Sequence, residues 1–175
     1  MLSHQESDRG FTLVELMIVV TIISILAGFS VPGLLRAKIT GNETAAIGSL
    51  GAVRTGQVSY SVACGSGAYA IKMSTLGQAP PGSTQPFISL DIGAVDAPLK
   101  SGYTYGLAAG AGGINGPNDC NGQPTKSAYY GSAIPKTFLT TGRRSFAINA
   151  DNTLWQLDAA VAPSEPFSAP ATPIK

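Results

Sequence analysis

Hydrophobic residues are concentrated near the start of the chain, in one long segment. Residues 11–35 read FTLVELMIVVTIISILAGFSVPGLL, and Glu15 is the single charged residue among them. A helix rises about 1.5 Å per residue, so this run is longer than the roughly 30 Å hydrocarbon core of a bilayer. The pattern therefore predicts a membrane-spanning helix over residues 11–35.

Apolar positions continue beyond this run with the spacing of a helix. They recur every three, four or seven residues, which places them on one helical face, and they are Leu35, Ile39, Ala46, Ile47, Leu50 and Val53. Four glycines fall between residues 36 and 62, and each costs a helix about 1 kcal/mol relative to alanine. The pattern predicts an amphipathic half of the same helix over 36–62, stabilised by packing on a sheet.

Pro32 and Gly33 interrupt the apolar run close to its end. We expect a kink or a locally melted turn there, because proline removes one backbone hydrogen bond and its ring clashes with the preceding turn. The alternative is that the helix ends at Pro32. The apolar face that continues beyond Pro32 favours the kink.

The rest of the chain has a turn-rich composition with short apolar stretches. Residues 63–101 are rich in glycine and proline, which predicts a long connection with at most short elements. Residues 102–158 contain four stretches with β-propensity, which are Tyr103–Ala108, Ala128–Ala133, Ser145–Asn149 and Thr153–Leu157. These stretches predict an antiparallel meander, with a tight turn at 150–152. Residues 159–175 hold four prolines and are predicted to form an extended tail over the surface.

Together these elements predict an α+β fold, in which a long N-terminal helix packs on a C-terminal antiparallel sheet. The 175 residues suffice for one domain of ordinary size and an appendage, but not for two large domains. The formal net charge is +1, so no overall field attracts the chain to nucleic acid or acidic lipid.

An ordinary cleaved secretory signal fits the start of the chain poorly. Residues 1–10 carry Glu6, Asp8 and Arg9, whereas a secretory signal begins with a basic segment. The apolar run is also longer than the roughly 7 to 15 residues of such signals. A secretory signal peptide is therefore kept only as an alternative.

The junction between the first residues and the apolar run carries a specific motif, RGFTLVE at residues 9–15. This motif and the apolar helix after it resemble the class III signal of the type IV pilin and type II secretion pseudopilin family. The resemblance implies a type IV pilin-like fold and processing by a prepilin peptidase/N-methyltransferase. Cleavage would fall between Gly10 and Phe11, so residues 1–10 would be removed as a leader and Phe11 would be N-methylated.

Glu15 needs a positively charged partner if it lies inside a membrane, where an uncompensated carboxylate is costly. No Lys, Arg or His occurs in residues 11–35. Cleavage after Gly10 would create an α-ammonium group on Phe11, one helical turn before Glu15. In a filament of stacked helices, Glu15 would instead pair with the ammonium group of a neighbouring subunit, so Phe11 and Glu15 are predicted assembly residues. The alternative is a glutamate that only reaches the membrane surface.

The sequence lacks the residue combinations of common catalytic sites. His4, the one histidine, lies in the predicted leader, which leaves the mature chain without a Ser-His-Asp or Cys-His site and without histidine metal ligands. No phosphate-binding loop motif occurs, and the glycine-rich stretches at 65–67 and 110–113 are predicted to be turns. We therefore expect no enzymatic activity and no cofactor.

Asp151 and Asp158 are weak candidates for a Ca²⁺ site. They flank the last predicted strand, and some members of the family that the chain resembles bind Ca²⁺ near the C-terminal sheet. The twelve-residue calcium loop with its glycine and final glutamate is absent. Turn chemistry is therefore favoured over a metal site at these aspartates.

Cys64 and Cys120 are the two cysteines of the chain, and they form a candidate disulfide if the soluble part is exported to an oxidising compartment. The alternative is two free thiols in a cytoplasmic domain. Arg36 and Lys38 follow the apolar run, and the positive-inside rule favours that cytoplasmic orientation, in conflict with the resemblance.

A small basic cluster occurs at Lys136, Arg143 and Arg144. Some members of the family bind DNA. Three charges on a nearly neutral chain are more typical of a solvated rim, so nucleic acid is not an expected partner.

The patterns and the resemblance together predict a pilin, the structural subunit of a type IV pilus-like filament. The precursor would lie in the inner (cytoplasmic) membrane, and an inner-membrane assembly platform would polymerise it with like subunits through the hydrophobic helix. The soluble domain would lie outside the cytoplasm, in a periplasmic or extracellular filament. One alternative is a pseudopilin of a type II secretion system, and another is a single-pass membrane-anchored periplasmic binding module.

Overall fold

The structure, a computed structural model, describes residues 10–174. The chain divides into two compact units, one ending at Ala37 and one beginning at Lys38. Residues 1–9 of the predicted leader, with His4, lie outside the described residues.

One helix, α1, spans Leu13–Ala63 and contributes to both units. An 18-residue window near its N-terminus has a mean hydropathy of 2.4 and is entirely unburied, so this part is long and apolar enough to cross a membrane. The helix continues through Pro32 and Gly33 without interruption. The expected local melting is therefore wrong, because one missing backbone bond does not stop a helix that is strongly helical on both sides. A bend at Pro32 remains a prediction.

Beyond α1, the described residues of the second unit form two very short helices and eight strands. These elements are β1 (Tyr69–Ala70), α2 (Met73–Leu76), α3 (Leu90–Gly93), β2 (Leu99–Lys100), β3 (Tyr103–Ala109), β4 (Thr125–Lys126), β5 (Tyr129–Pro135), β6 (Ser145–Asn149), β7 (Leu154–Leu157) and β8 (Thr172–Pro173). Six strands form an antiparallel sheet in the order β2-β3-β5-β6-β7-β8, and β1 pairs with β4 separately. The predicted α+β fold with an antiparallel meander is confirmed.

The C-terminal tail does more than run over the surface, because its residues Thr172 and Pro173 form β8 at one edge of the sheet. Ile174 also donates its backbone N–H to the carbonyl of Leu154, at 2.8 Å. Proline is tolerated there because an edge strand has one side without a hydrogen-bonding neighbour. The proline-rich composition of residues 159–175 predicted an extended tail and gave no sign of the strand β8.

The inner face of the sheet packs with the second half of α1 in one hydrophobic core. The largest fully buried side chains of this core are aromatic or branched, and they include Tyr60, Tyr103, Tyr105, Tyr129, Phe146, Leu50 and Ile148. Gly56 of α1 has no side chain where the backbone of Phe87 approaches, so the connection after α1 can lie directly on the helix. Of the six glycines of α1, it is the one whose missing Cβ is needed for close packing.

Residues 159–167, which we call the strap, lie over part of the outer face of the sheet. The hydroxyl of Tyr130 donates to the carbonyl of Pro163 at 2.5 Å. The rings of Trp155 and Phe167 stack with their centroids 5.2 Å apart. Strand pairing places Trp155 opposite Ala147 and hence on the face away from α1. The inner face is therefore covered by α1, and the outer face is partly covered by the strap.

Candidate assembly site

Gly10 and Phe11 lie immediately before α1, at the predicted cleavage point. An added Cβ at Gly10 would meet no atom within 4 Å, and Phe11 is 81% exposed. Neither residue belongs to a helix or strand. Among the described residues, nothing therefore blocks the access of another protein to the peptide bond between Gly10 and Phe11.

Thr12 and Glu15 form a reciprocal capping box at the start of α1. Thr12 donates its backbone N–H and its hydroxyl to Glu15 Oε2, at 3.0 and 2.7 Å, and Glu15 donates its backbone N–H to Thr12 Oγ1 at 3.2 Å. This arrangement satisfies amide groups that a helix N-terminus leaves without partners. Glu15 therefore has a local role that the sequence reasoning missed, although the T-x-x-E spacing signals it.

The first half of α1 offers an almost purely apolar surface. Its large hydrophobic side chains between residues 11 and 35 are exposed, and most of them show more than half of their area. The hydroxyls of Thr21, Ser24 and Ser30 donate to helix carbonyls four residues earlier, at 2.7 to 2.9 Å. Their polar groups are satisfied within the helix, so this surface can enter lipid or pack against like helices.

Glu43 is the main polar link between the second half of α1 and the sheet. It is 5% exposed, and its carboxylate accepts two bonds from the side chain of Arg144, from Nε at 2.9 Å and from Nη2 at 2.6 Å. It also accepts the backbone N–H groups of Arg143 and Arg144, at 2.8 and 3.2 Å. Arg144 further donates to Gln156 and lies over the Phe146 ring. The buried carboxylate is thus fully compensated, as burial requires.

The end of α1 has a second set of polar links, built around Gln57 and Tyr60. The side-chain amide of Gln57 pairs with both backbone groups of Ala70, at 2.7 and 3.0 Å. Tyr60 donates to Asp119 Oδ2 at 2.7 Å, and burial, aided by this carboxylate, raises the pKa of Tyr60 well above its usual value. These bonds fix the connection after the helix and the loop that carries Asp119.

Cys64 and Cys120 are joined by a disulfide, with their Cα atoms 4.8 Å apart. The backbone N–H of Cys120 also donates to the carbonyl of Cys64, at 3.0 Å. The predicted pair is therefore present in the structure. It closes a separation of 56 residues and ties the end of α1 to the loop before β4.

The other candidate residues are not brought together. Asp151 precedes β7 and Asp158 follows it, so the two calcium candidates lie at opposite ends of one strand. Among residues 10–174, no group of three or more His, Cys, Asp or Glu side chains could hold a metal. In the basic cluster, Arg144 is committed to Glu43, which leaves Lys136 and Arg143 exposed.

Comparisons with known proteins give one family model at the start of the chain and two curated relatives. Residues 7–31 match the family described as the prokaryotic N-terminal methylation motif. The chain is 43% identical over 53 residues to the type IV major pilin protein PilA of Myxococcus xanthus, a match that covers 30% of this chain and 24% of that protein. It is 53% identical over 36 residues to the type IV wide pilus major component PilA4 of Thermus thermophilus, covering 21% and 28% respectively. No solved structure matches significantly.

The chain thus spans about a quarter of the length of the curated relatives that it matches. The resemblance to type IV pilins predicted from residues 9–15 is confirmed by the motif match and by both relatives.

Proposed function

We propose that this chain is a structural subunit of a type IV pilus and catalyses no reaction. In this proposal a prepilin peptidase cuts after Gly10, the new N-terminal Phe11 is N-methylated, and the subunits polymerise through the apolar half of α1. The observation that carries the proposal is the methylation motif at residues 7–31, which includes the start of the exposed apolar helix at Leu13.

The geometry at residues 10–15 supports this role. The peptide bond after Gly10 is accessible, and the helix that must leave the lipid and enter a filament begins three residues later. A filament core of such helices buries their apolar surfaces against one another without a change in their fold. Both relatives are described as components of type IV pili, which favours a pilus over a secretion pseudopilus.

The proposal also places the protein in the cell. The precursor lies in the cytoplasmic membrane with its second unit outside the cytoplasm, and an inner-membrane assembly platform adds it to a filament of like subunits. The disulfide supports this placement, since such bonds persist in oxidising compartments. The opposite bias is small, since Arg36 and Lys38 after the apolar run stand against Arg9 before it.

Intact-mass measurement of the N-terminus tests the proposal. Wild-type protein should begin at Phe11 and carry one added methyl group. Gly10→Val should retain the ten-residue leader, because a branched side chain next to the cut obstructs the peptidase, whereas Gly10→Ala should be processed. Neither variant alters a packed position, since Gly10 has no neighbour within 4 Å.

Two results would remove the proposal. One is a wild-type protein that keeps its first ten residues in its native host. The other is Gly10→Val protein with the same N-terminal mass as the wild type.

A further inference from the structure

A cavity of about 380 Å³ opens on the outer face of the sheet, between the β6–β7 turn and the strap. Its walls combine aromatic rings with carboxylates, and the polar and aromatic residues that the argument uses are Asn149, Asp151, Trp155, Glu165 and Phe167. None of its lining residues is Lys, Arg or His. We call it the acidic cavity.

The carboxylates of the acidic cavity are held by a small network. Glu165 accepts the backbone N–H of Ala111 at 2.7 Å and the side-chain amide of Asn149 at 2.9 Å. The same amide donates to Asp151 Oδ2 at 3.1 Å. No described residue donates to the other oxygen, Asp151 Oδ1. The cavity therefore presents a net negative charge with a free acceptor beside the stacked rings of Trp155 and Phe167.

This chemistry suits a guanidinium group. A planar cation can stack on an aromatic face while its N–H groups bond to a carboxylate, and arginine does both better than lysine. Arg54 lies close to the β6–β7 turn, but its Nη1 donates to the carbonyl of Asn152 and it does not line the cavity. The occupant must therefore come from elsewhere.

Arg143 is a guanidinium group without a partner at the opposite end of the same strand. Its side chain is exposed and makes no ion pair among residues 10–174, while its backbone N–H is fixed by Glu43. It lies two residues before β6, and Asp151 lies two residues after β6. The five residues of β6 alone separate the two groups by about 13 Å, more than an arginine side chain spans. One molecule cannot fill its own cavity in this way.

We propose that the acidic cavity binds Arg143 of a second copy of this chain. Such a contact joins the Arg143 end of one subunit to the cavity end of the next subunit, so the two surfaces in contact differ and the interface is heterologous. A pair of subunits joined in this way still has one free Arg143 and one empty cavity. Contacts of that type repeat into open assemblies rather than closing a dimer. The inference rests on the proposed filament function. It assigns one contact between neighbouring subunits, made by the compact unit of each chain that begins at Lys38.

The first test compares incorporation of full-length variants into filaments sheared from cells that lack the wild-type copy. Asp151→Asn and Arg143→Gln should each lower the amount of subunit in the filaments about tenfold, the change expected when roughly 1.4 kcal/mol of contact is lost. The double variant should be no worse than either single one, since both remove the same contact. Asp158→Asn removes a similar charge outside the cavity and should leave incorporation unchanged.

A second test does not depend on yield. Two cysteines at these positions would lie too far apart for a direct disulfide, because the arginine side chain spans most of the contact. Filaments of the double variant Asp151→Cys with Arg143→Cys should therefore give a ladder of linked subunits after treatment with a bifunctional thiol reagent of about the length of that side chain, whereas each single cysteine variant should give none beyond dimers. The membrane content and the emission of Trp155, the single tryptophan of the chain, report whether each variant is folded.

The outcomes separate this inference from the proposed function. If wild-type cells make no filament that contains this chain, the filament function is wrong. If wild-type filaments form, and if the neutral variants assemble normally and no ladder appears, Arg143 does not enter the cavity. An equal loss with Asp158→Asn would also overturn the inference, because it would mean that general charge and not this cavity controls assembly. If a neutral variant fails to accumulate in the membrane, the cysteine pair decides.

Discussion

At the scale of single residues, two glutamates of α1 have opposite surroundings. Glu43 is buried, and four donors compensate its carboxylate. Glu15 is exposed, and Oε2 alone receives both bonds from Thr12. The first carboxylate is committed to the fold of its own subunit. The second keeps one oxygen available for a partner outside the described residues.

Glu43→Ala should destabilise the second unit by about 2 to 3 kcal/mol. The change leaves Nε and Nη2 of Arg144 and two backbone N–H groups without their acceptor, while Nη1 keeps its bond to Gln156. The loss lies near the low end for a broken buried pair because Arg144 is 39% exposed. Urea unfolding of the detergent-solubilised chain, followed by Trp155 emission, measures the loss. Asp158→Ala changes an exposed carboxylate and should stay within about 0.5 kcal/mol of wild type. A loss below about 1 kcal/mol for Glu43→Ala would contradict a clamping role.

The residue patterns predicted the apolar face of α1 but not its polar members. Glu43 and Gln57 continue the three- and four-residue spacing of Ala46, Leu50 and Val53, so they lie on the buried face. Their partners are Arg144, which is 101 residues from Glu43, and the backbone of Ala70 in the two-residue strand β1. Periodicity can place a polar residue on the inner face, but only the folded chain supplies its hydrogen-bonding partners.

At the scale of elements, the strands with clear β-propensity were predicted nearly to their ends, whereas the edges of the sheet were not. Residues 145–149 were predicted as a strand and form β6. The edge strands β2 and β8 have two residues each, too few for any alternating pattern to be detected. They exist because neighbouring strands supply hydrogen-bonding partners, which is tertiary information.

The disulfide ties the end of α1 to the loop before β4, and its redox state tests the proposed compartment of the second unit. Alkylation of membrane-extracted protein should label neither Cys64 nor Cys120 until a reductant is added. The Cys64→Ser/Cys120→Ser variant should lose at most about 4 kcal/mol of stability, the entropy estimate for a loop of this length. Mass spectrometry of the alkylated protein measures the first outcome, and urea unfolding measures the second.

A cysteine-free control, the same double serine variant, sets the background of the alkylation experiment. Full labelling of wild-type protein without reductant would mean free thiols. It would restore the cytoplasmic orientation that Arg36 and Lys38 favour.

At the scale of the whole molecule, the chain combines a unit that needs lipid or like helices with a unit that holds its own core. The unit up to Ala37 exposes its apolar side chains, and the unit from Lys38 buries the aromatic core between α1 and the sheet. This division matches a subunit that is stored in a membrane and later joined to others through its first half. Assembly should therefore be separable from folding and from membrane insertion by changes at Glu15.

Glu15→Gln and Glu15→Val separate the two roles of this glutamate. Glutamine also serves as the third residue of a capping box, so Glu15→Gln keeps the bond with Thr12 and removes only the charge. Valine removes both, and it makes the helix more apolar. If a neighbour's ammonium group pairs with the carboxylate during assembly, both variants should be cleaved after Gly10 and retained in the membrane, yet both should be nearly absent from sheared filaments. The measurement is the ratio of filament protein to membrane protein, with tagged subunits in a strain that lacks the wild-type copy. The result for Glu15→Gln decides between the charge and the helix cap. Normal filaments from Glu15→Gln, with loss only in Glu15→Val, would mean that assembly needs the helix cap and not the charge.

Loss of either variant from the membrane would instead assign Glu15 to insertion. The charge-pair mechanism therefore stands only on the first pattern, in which the two variants enter the membrane equally and fail together at the filament.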